Sequence, residues 1–368
     1  MTRLRSLHVV TTSQRRGAEQ AAVDLAETLS SQGGTTRVVA LTAGPQGNPL
    51  GVDVLGRRPL GVGTLVALRR AAAASDTDLV VAHGSRTLPA SVAALAGTVG
   101  RAGRSAQLVY RNIGDPRAWA GRGLRRWRVA QLLRRTSHVV AMWPGAADAL
   151  TSVHGVDAAR ITVIPNGVPA ARCPVPDDAG RRYAREALGL PASAPVVATI
   201  GALSPEKQVG TSIGAVGKLD DVHLLVVGDG PDRAALDALA ADVAPGRVHF
   251  TGVLPGPQQA LAAADALVLT SRTEGLPGVL VEAGLSALPA VASAVGGVGE
   301  IVRHGETGLL VEPGDVGGFA DGLRQVLDAP RAYGDSAREH CLTHFEIGVV
   351  ARRWATLLDE LVSGRLSP

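Results

Sequence analysis

The stretch Glu274-Gly275-Leu276-Pro277-Gly278-Val279-Leu280-Val281-Glu282 decides how this chain is read. Two carboxylates are separated by seven residues, and the run between them has the form of a helix start. Ahead of it lies Ala266-Leu267-Val268-Leu269, bounded by Thr270 and Ser271, which has the length and apolar content of a buried strand. Gly275, Pro277 and Gly278 break that strand, and Pro277 suits a first helical turn because its missing N–H has no partner to lose there. The pattern predicts a helix from Pro277 to about Ala287, with Glu282 just over one turn inside it and Glu274 on the loop before it. The N–H groups of Gly278, Val279 and Leu280 then point into the same space, and a helix N-terminus of this kind binds anions. Carboxylates and amides gathered at the carboxyl end of a buried strand are suited to holding a sugar diphosphate.

Outward from this point, apolar runs alternate with helical patterns along the whole chain. Strands are predicted at Leu7–Thr11, Thr36–Leu41, Leu79–Ala82, Gln107–Tyr110, His138–Met142 and Ile161–Ile164. A second series falls at Pro195–Ile200, Val222–Val227, Arg247–Phe250, Ala266–Thr270, Ala290–Ala292 and Gly308–Val311. Repeated strand–helix–strand units imply an α/β protein with parallel sheets covered on both faces. A chain of 368 residues exceeds what one core usually organises, so two domains are expected. Residues 166–194, with prolines at 169, 174, 176 and 191, read as the linker between a domain at 1–165 and another at 195–344.

Composition narrows the class. Hydrophobic residues make up 46% and charged residues 19%, which fits a globular protein with buried sheets. The formal charge is +4, and lysine occurs only at 207 and 218, so nearly all the positive charge is arginine. Cys173 and Cys341 form neither a disulfide framework nor a metal-ligand pattern, which predicts a reducing, cytoplasmic setting. No apolar run reaches transmembrane length, and the first twelve residues do not have the form of a signal peptide.

The Glu274–Glu282 segment resembles the E-x7-E motif of retaining nucleotide-sugar glycosyltransferases of family 4, which have the GT-B fold. The runs Pro289–Val302 and His304–Val311 resemble the continuation of that motif, and Ile164-Pro165-Asn166-Gly167-Val168 resembles the family's interdomain segment. The resemblance implies two Rossmann-like domains with parallel sheets facing a central cleft, the first binding the acceptor and the second the nucleotide sugar. It also implies that residues 345–368 form a terminal helix returning to the first domain. Glu282 would bind ribose hydroxyls, and Glu274 would hold the donor sugar or stabilise positive charge at its anomeric carbon. Gly275, Gly278, Val279 and Leu280 would complete the donor site.

Other candidates stand on loops after strands. In Gly201-Ala202-Leu203-Ser204-Pro205-Glu206-Lys207, Ser204 can cap a helix beginning at Pro205, which places Lys207 in its first turn. A lysine there opposes the macrodipole unless an anion compensates, and a bound diphosphate would do so. A solvated surface lysine is the plain alternative. The family commonly has arginine where this chain has Ala202, so the diphosphate clamp would rest on Lys207. The first loop resembles a G-G-x-E turn, with Gly17 and Glu19 matching and Arg16 replacing a glycine. Arg16 is therefore a candidate second cation for the donor. His83 ends a strand and resembles a family histidine, which makes it a third catalytic candidate beside Glu274 and Lys207. Asn112, where many relatives have histidine, can bond an acceptor hydroxyl but cannot serve as a base near neutral pH.

Some features are set aside. Gly228-Asp229-Gly230 lacks the third glycine of a dinucleotide fingerprint. Asp76-Thr77-Asp78 imitates a metal-binding D-x-D but precedes its strand, so no metal site is predicted. The arginine-rich segment Arg117–Arg135, with Trp119 and Trp127, allows peripheral contact with an anionic membrane or an acidic acceptor, although its large apolar residues do not gather on one helical face. It carries no nucleic-acid motif. The expectation is a retaining, metal-independent hexosyltransferase without a cofactor, acting in cell-envelope or secondary glycoconjugate synthesis. Its donor would be a UDP-sugar first and a GDP-sugar second, and its acceptor a lipid, glycan or small molecule. A nucleotide-sugar-binding protein without transfer activity, or a sugar-nucleotide epimerase, is the alternative.

Overall fold

A computed structural model describes residues 4–45, 47, 49–74, 77–97, 106–119 and 123–366. The chain divides into two units, one comprising Met1–Gly167 with Ile347–Pro368 and the other Val168–Glu346.

The first unit is built on a seven-stranded sheet: β1 (Arg5–Thr12), β2 (Thr35–Thr42), β3 (Asp53–Gly56), β4 (Leu79–His83), β5 (Gln107–Arg111), β6 (His138–Ala141) and β7 (Ile161–Val163). Their order is β3-β2-β1-β4-β5-β6-β7, and every pairing is parallel. Runs such as Leu79-Val80-Val81-Ala82 are wholly buried, as strands with helices on both faces must be. The Asp53–Gly56 strand was not expected: it is four residues long, half polar, and lies at the sheet edge, where no apolar run is required. Helix Ile347–Ser363 belongs to this unit and inserts Ile347, Val350, Trp354, Leu357 and Leu361 into its core beside Leu25, Leu79 and Val109. Gly167 makes that docking fit, because a Cβ there would stand 2.7 Å from the Ile347 side chain and 3.0 Å from its Cα.

The second unit has six parallel strands: β8 (Val196–Ile200), β9 (His223–Val227), β10 (Val248–Gly252), β11 (Ala266–Leu269), β12 (Ala290–Ser293) and β13 (Gly308–Val311). Their order is β10-β9-β8-β11-β12-β13. The stretch read as a linker is structured. It carries helix Asp178–Ala187, started by the Asp177 carboxylate accepting from Gly180 N–H, and belongs to this unit. Arg185, 5% exposed, donates to the carbonyls of Ala263, Ala192 and Ala194 and to Asp265, whose carboxylate also accepts from Val196 N–H. A buried cation so fully paired holds the segment against the end of β8, which prolines alone did not reveal.

Both sheets reverse direction of growth once, between β1 and β4 in the first and between β8 and β11 in the second. Ligands of open α/β sheets bind in the crevice at the carboxyl ends of the strands flanking such a switch point. No helix among the described residues is long and apolar enough to cross a membrane.

Candidate functional site

In the second unit, the loops after β8 and β11 bring together the two residues named first in the sequence. Lys207 Nζ donates to Glu274 Oε1 at 2.6 Å, with the lysine side chain 28% and the glutamate side chain 10% exposed. The structure corrects the local reading of Lys207. Ser204 caps no helix: residues 204–207 form a turn closed by Lys207 N–H to Ser204 O, and the helix begins at Val209. Gln208 stands between them at φ 47, a left-handed conformation that interrupts any helical run from Pro205. Thr270 holds this turn by donating its hydroxyl to Lys207 O and Gln208 O, and Arg272 N–H bonds Glu206 O. Lys207 is therefore positioned by the β11 loop rather than by a helix start.

Helix Gly278–Leu285 follows the Glu274 loop, and Pro277 occupies its N-cap position. Leu280 N–H is bonded to Pro277 O, so the anion-binding set predicted from Gly278, Val279 and Leu280 reduces to the first two amides. Glu282 lies partly buried on this helix, and its charge helps raise the buried Cys173 thiol to about 12, after burial itself. The Glu274–Gly275 backbone is braced by the loop after β12. Gly297 N–H donates to Gly275 O, and at Gly296 (φ 54) a Cβ would stand 2.0 Å from Glu274 O. Only glycine permits that approach.

In the first unit a cavity of about 210 Å³ opens at the ends of β1 and β4, lined by Thr12, Arg16, Glu19, His83, Ser85 and Arg86 among others. Helix Gly17–Ser31 starts beside it, with Arg16 exposed at the N-cap position. A side chain at Gly17 would meet nothing within 4 Å, so packing does not require that glycine. The Glu19 carboxyl titrates above its usual range, mainly through burial, while Arg16 and Arg86 act to lower it.

Behind the cavity lies a closed chain of polar groups. Arg111 Nη1 is 3.3 Å from His83 Nδ1, His83 Nε2 is 3.0 Å from His8 Nδ1, and His8 Nε2 is 3.3 Å from Ser6 Oγ. A guanidinium can only donate, so His83 Nδ1 accepts and the His83 proton sits on Nε2, directed at His8. The His8 proton then sits on its own Nε2, facing Ser6. Burial and the Arg111 charge hold His8 at about 3; burial, His8 and Arg111 hold His83 well below the usual value. Both rings are neutral at physiological pH. Arg111 also donates to Asn166 Oδ1 and lies 5.7 Å from the centroid of the Trp354 ring, in cation–π range. It has no carboxylate partner among the described residues; burial lowers it to about 10, so it keeps its charge.

This geometry bears on two of the expected site residues. His83 lines the cavity, but both of its ring nitrogens are committed to protein partners, so it offers no free nitrogen for proton transfer. Asn112 is fully buried; its amide donates to Gly114 O and its carbonyl faces the Tyr110 hydroxyl at 3.5 Å, so it is not presented to an acceptor. Asp78 pairs with Arg5 at the opposite end of the sheet from the cavity, and Asp76 lies outside the described residues. Among the described residues no group of three His, Cys, Asp or Glu side chains has metal-binding geometry. Arg111 and Arg86 were not singled out from sequence, and nothing there marked them; Glu19 was named through the G-G-x-E likeness but given no role.

Comparison with known proteins matches this arrangement. The family described as Glycosyltransferase Family 4 matches residues 15–172, and the one described as Glycosyl transferases group 1 matches residues 194–329. The chain belongs to the GT-B glycosyltransferases of family 4 type. It is 34% identical over 195 residues to the lipopolysaccharide core biosynthesis glycosyltransferase LpsE of Rhizobium meliloti, covering 53% of this chain and 55% of that one. It is 33% identical over 206 residues to the 2-deoxystreptamine glucosyltransferase of Streptomyces kanamyceticus, covering 54% and 53%. The chain thus spans about half the length of these curated relatives. Among solved structures, Anabaena Alr3699/HepE in complex with UDP-glucose superposes with a TM-score of 0.83 at 24% identity, over 97% of this chain and 100% of that one. WaaG, a glycosyltransferase involved in lipopolysaccharide biosynthesis, gives 0.73 at 18% identity over 96% and 99%. At these identities the likeness establishes the fold.

Proposed function

We propose that this protein is a retaining glycosyltransferase that moves a sugar from a nucleoside diphosphate sugar, a UDP-sugar in the first instance, to a hydroxyl acceptor. The observation that carries the reading is the Lys207–Glu274 pair at the switch point of the second sheet, beside the open N-terminus of helix Gly278–Leu285. Lys207 and the Gly278 and Val279 amides receive the diphosphate, and Glu282, one turn along the helix, takes the ribose hydroxyls. Glu274 already holds Lys207, so an entering diphosphate shares the cation and leaves the carboxylate free to face the sugar. As the bond between anomeric carbon and phosphate oxygen breaks, its electron pair goes to the diphosphate, where Lys207 and the amides stabilise the growing charge. The acceptor oxygen attacks from the same face and its proton passes to the departing phosphate oxygen. That route agrees with a His83 whose nitrogens are both occupied. Metal independence is part of the proposal, because Asp78 is engaged by Arg5 at the far end of its sheet.

The test is a panel of UDP- and GDP-sugars, with released nucleotide measured with and without candidate hydroxyl acceptors, in chelator and in added magnesium. Acceptor-dependent release that survives chelator supports the reading. Binding without release would make the protein a nucleotide-sugar-binding module, and metal-dependent release would remove the metal-independent part.

A further inference from the structure

We propose that His340 and His344, on helix Pro330–His344 of the second unit, bind one transition-metal ion of the zinc type through their two imidazoles, with water completing its shell. Among the described residues three histidine pairs bring their rings close together. The centroids lie 5.1 Å apart in His8–His83, 5.2 Å in His223–His249 and 4.7 Å in His340–His344. In the first two pairs ring nitrogens 3.0 Å apart share a proton, so a lone pair of each is consumed inside the pair. No such bond joins His340 to His344. His340 Nε2 lies 2.8 Å from Glu300 O, and a carbonyl can only accept, so the ring proton sits on Nε2 and Nδ1 of the neutral ring keeps a bare lone pair. The His344 ring makes no hydrogen bond among the described residues.

Geometry and charge select the ligand. Residues four apart share one face of a helix. An ion about 2.1 Å from one nitrogen of each ring lies about 3.2 Å from each centroid, so rings about 4.5–5.3 Å apart can share it at a square or tetrahedral angle. Both rings line a groove of about 800 Å³ together with Arg303, Glu306 and Glu339. Arg303 is paired with Glu306 at 3.6 Å, and Glu339 adds a further negative charge. Imidazoles select zinc, nickel or copper over magnesium, which keeps to oxygen ligands. The Glu300 carbonyl on the other ring nitrogen of His340 is the usual outer partner of a metal-binding histidine. No group of three suitable side chains exists among the described residues, so two protein ligands are the full set.

The site is tied to the loop that carries Glu274. Glu300 N–H donates to Gly297 O and Gly297 N–H to Gly275 O, so three hydrogen bonds run from the His340 ring to the residue after Glu274. An ion on Nδ1 withdraws electron density from the ring, which makes Nε2–H a stronger donor and holds helix Val298–Ile301 more firmly. The ion itself sits beside the amino end of β13, whereas Lys207 and Glu274 meet at the carboxyl ends of their strands. It therefore takes no part in transfer, and the proposal does not depend on the donor assignment.

The test is calorimetric titration of the full chain, free of any affinity tag, with zinc chloride. One ion per chain is expected, and excess magnesium should not displace it. His340→Ala and His344→Ala should each weaken binding by at least about tenfold, while His249→Ala, taken from a closed pair, leaves it unchanged. Zinc should raise the urea midpoint of the wild type and not that of His344→Ala. Copper(II) on the wild-type chain should show two nitrogen ligands by electron paramagnetic resonance, an answer that stands even where a variant misfolds. Absence of zinc binding, binding that survives both alanines, or fewer than two nitrogens on copper would overturn the proposal. So would displacement of zinc by magnesium.

Discussion

The two crevices lie at equivalent switch points of two parallel sheets, yet they treat polar residues in opposite ways. In the first unit the strongest polar groups on and just after the strands, His8, His83, Arg111 and Asn112, are 3% exposed or less and are bonded to one another or to nearby backbone. In the second, Lys207 and Glu274 meet in a single ion pair that remains open to solvent. The first arrangement fixes a shape, and the second keeps charge available. A polar network closed on itself is rigid and costly to disturb, whereas an accessible pair can exchange its partner for a ligand.

The sharpest way to break this comparison is to remove Glu274. Glu274→Ala should lower turnover by about 10²–10³, the scale for losing a group aimed at transition-state charge. Affinity for free nucleoside diphosphate should hold or rise, since Lys207 loses its internal partner; calorimetric titration that showed weaker binding would reverse the assigned roles. Next in size is Arg111→Ala, which leaves His83 Nδ1 without its donor in a dry interior. It should destabilise the first unit by about 3 kcal/mol in denaturant unfolding while nucleotide binding to the second unit persists. A loss of nucleotide binding equal to that of Lys207→Ala would erase the distinction between the crevices.

Lys207→Ala should lower transfer efficiency by at least tenfold, since a hydrogen bond to a charged group contributes roughly 1.5–3 kcal/mol. Ala202→Arg on that background should recover part of the loss, as steady-state kinetics would record. If Arg16 already supplies the second cation, Arg16→Ala should cost a similar factor, and no change would dismiss it. The gentlest probe is pH. Unfolded histidine takes a proton near 6.5, whereas His8 in the folded unit resists until about 3. The unfolded state therefore binds more protons in that window, and stability falls as pH is lowered, by about 1.4 kcal/mol per pH unit for each such histidine. His8→Gln should flatten the slope measured from urea midpoints between pH 6.5 and 4; an unaltered slope would place the titrating group elsewhere.

Among the described residues, twelve of the thirteen strands coincide with apolar runs, because strands buried on both faces must be continuous in hydrophobicity. The Glu274–Glu282 spacing was equally legible, since its glycines and proline act locally. Lys207 was found but its surroundings were misread: the left-handed Gln208 is set by Thr270, a residue 62 positions away that binds its carbonyl. His83 and Asn112 were read from where their strands end, which says nothing of where their nitrogens point. Arg111 escaped notice because an arginine closing an apolar strand reads as its solvated boundary, and only Trp354 and Asn166 from distant segments make it interior.

Helix Ile347–Ser363 also orders events during synthesis. The second unit is one uninterrupted segment, and all of Val168–Glu346 is synthesised before that helix begins. The first unit begins earlier in the chain but lacks Trp354, Leu357 and Leu361 until the whole of the second unit has been synthesised. The nascent first sheet thus waits with Leu25, Leu79 and Val109 uncovered on one face, and the unit started first is the one completed last.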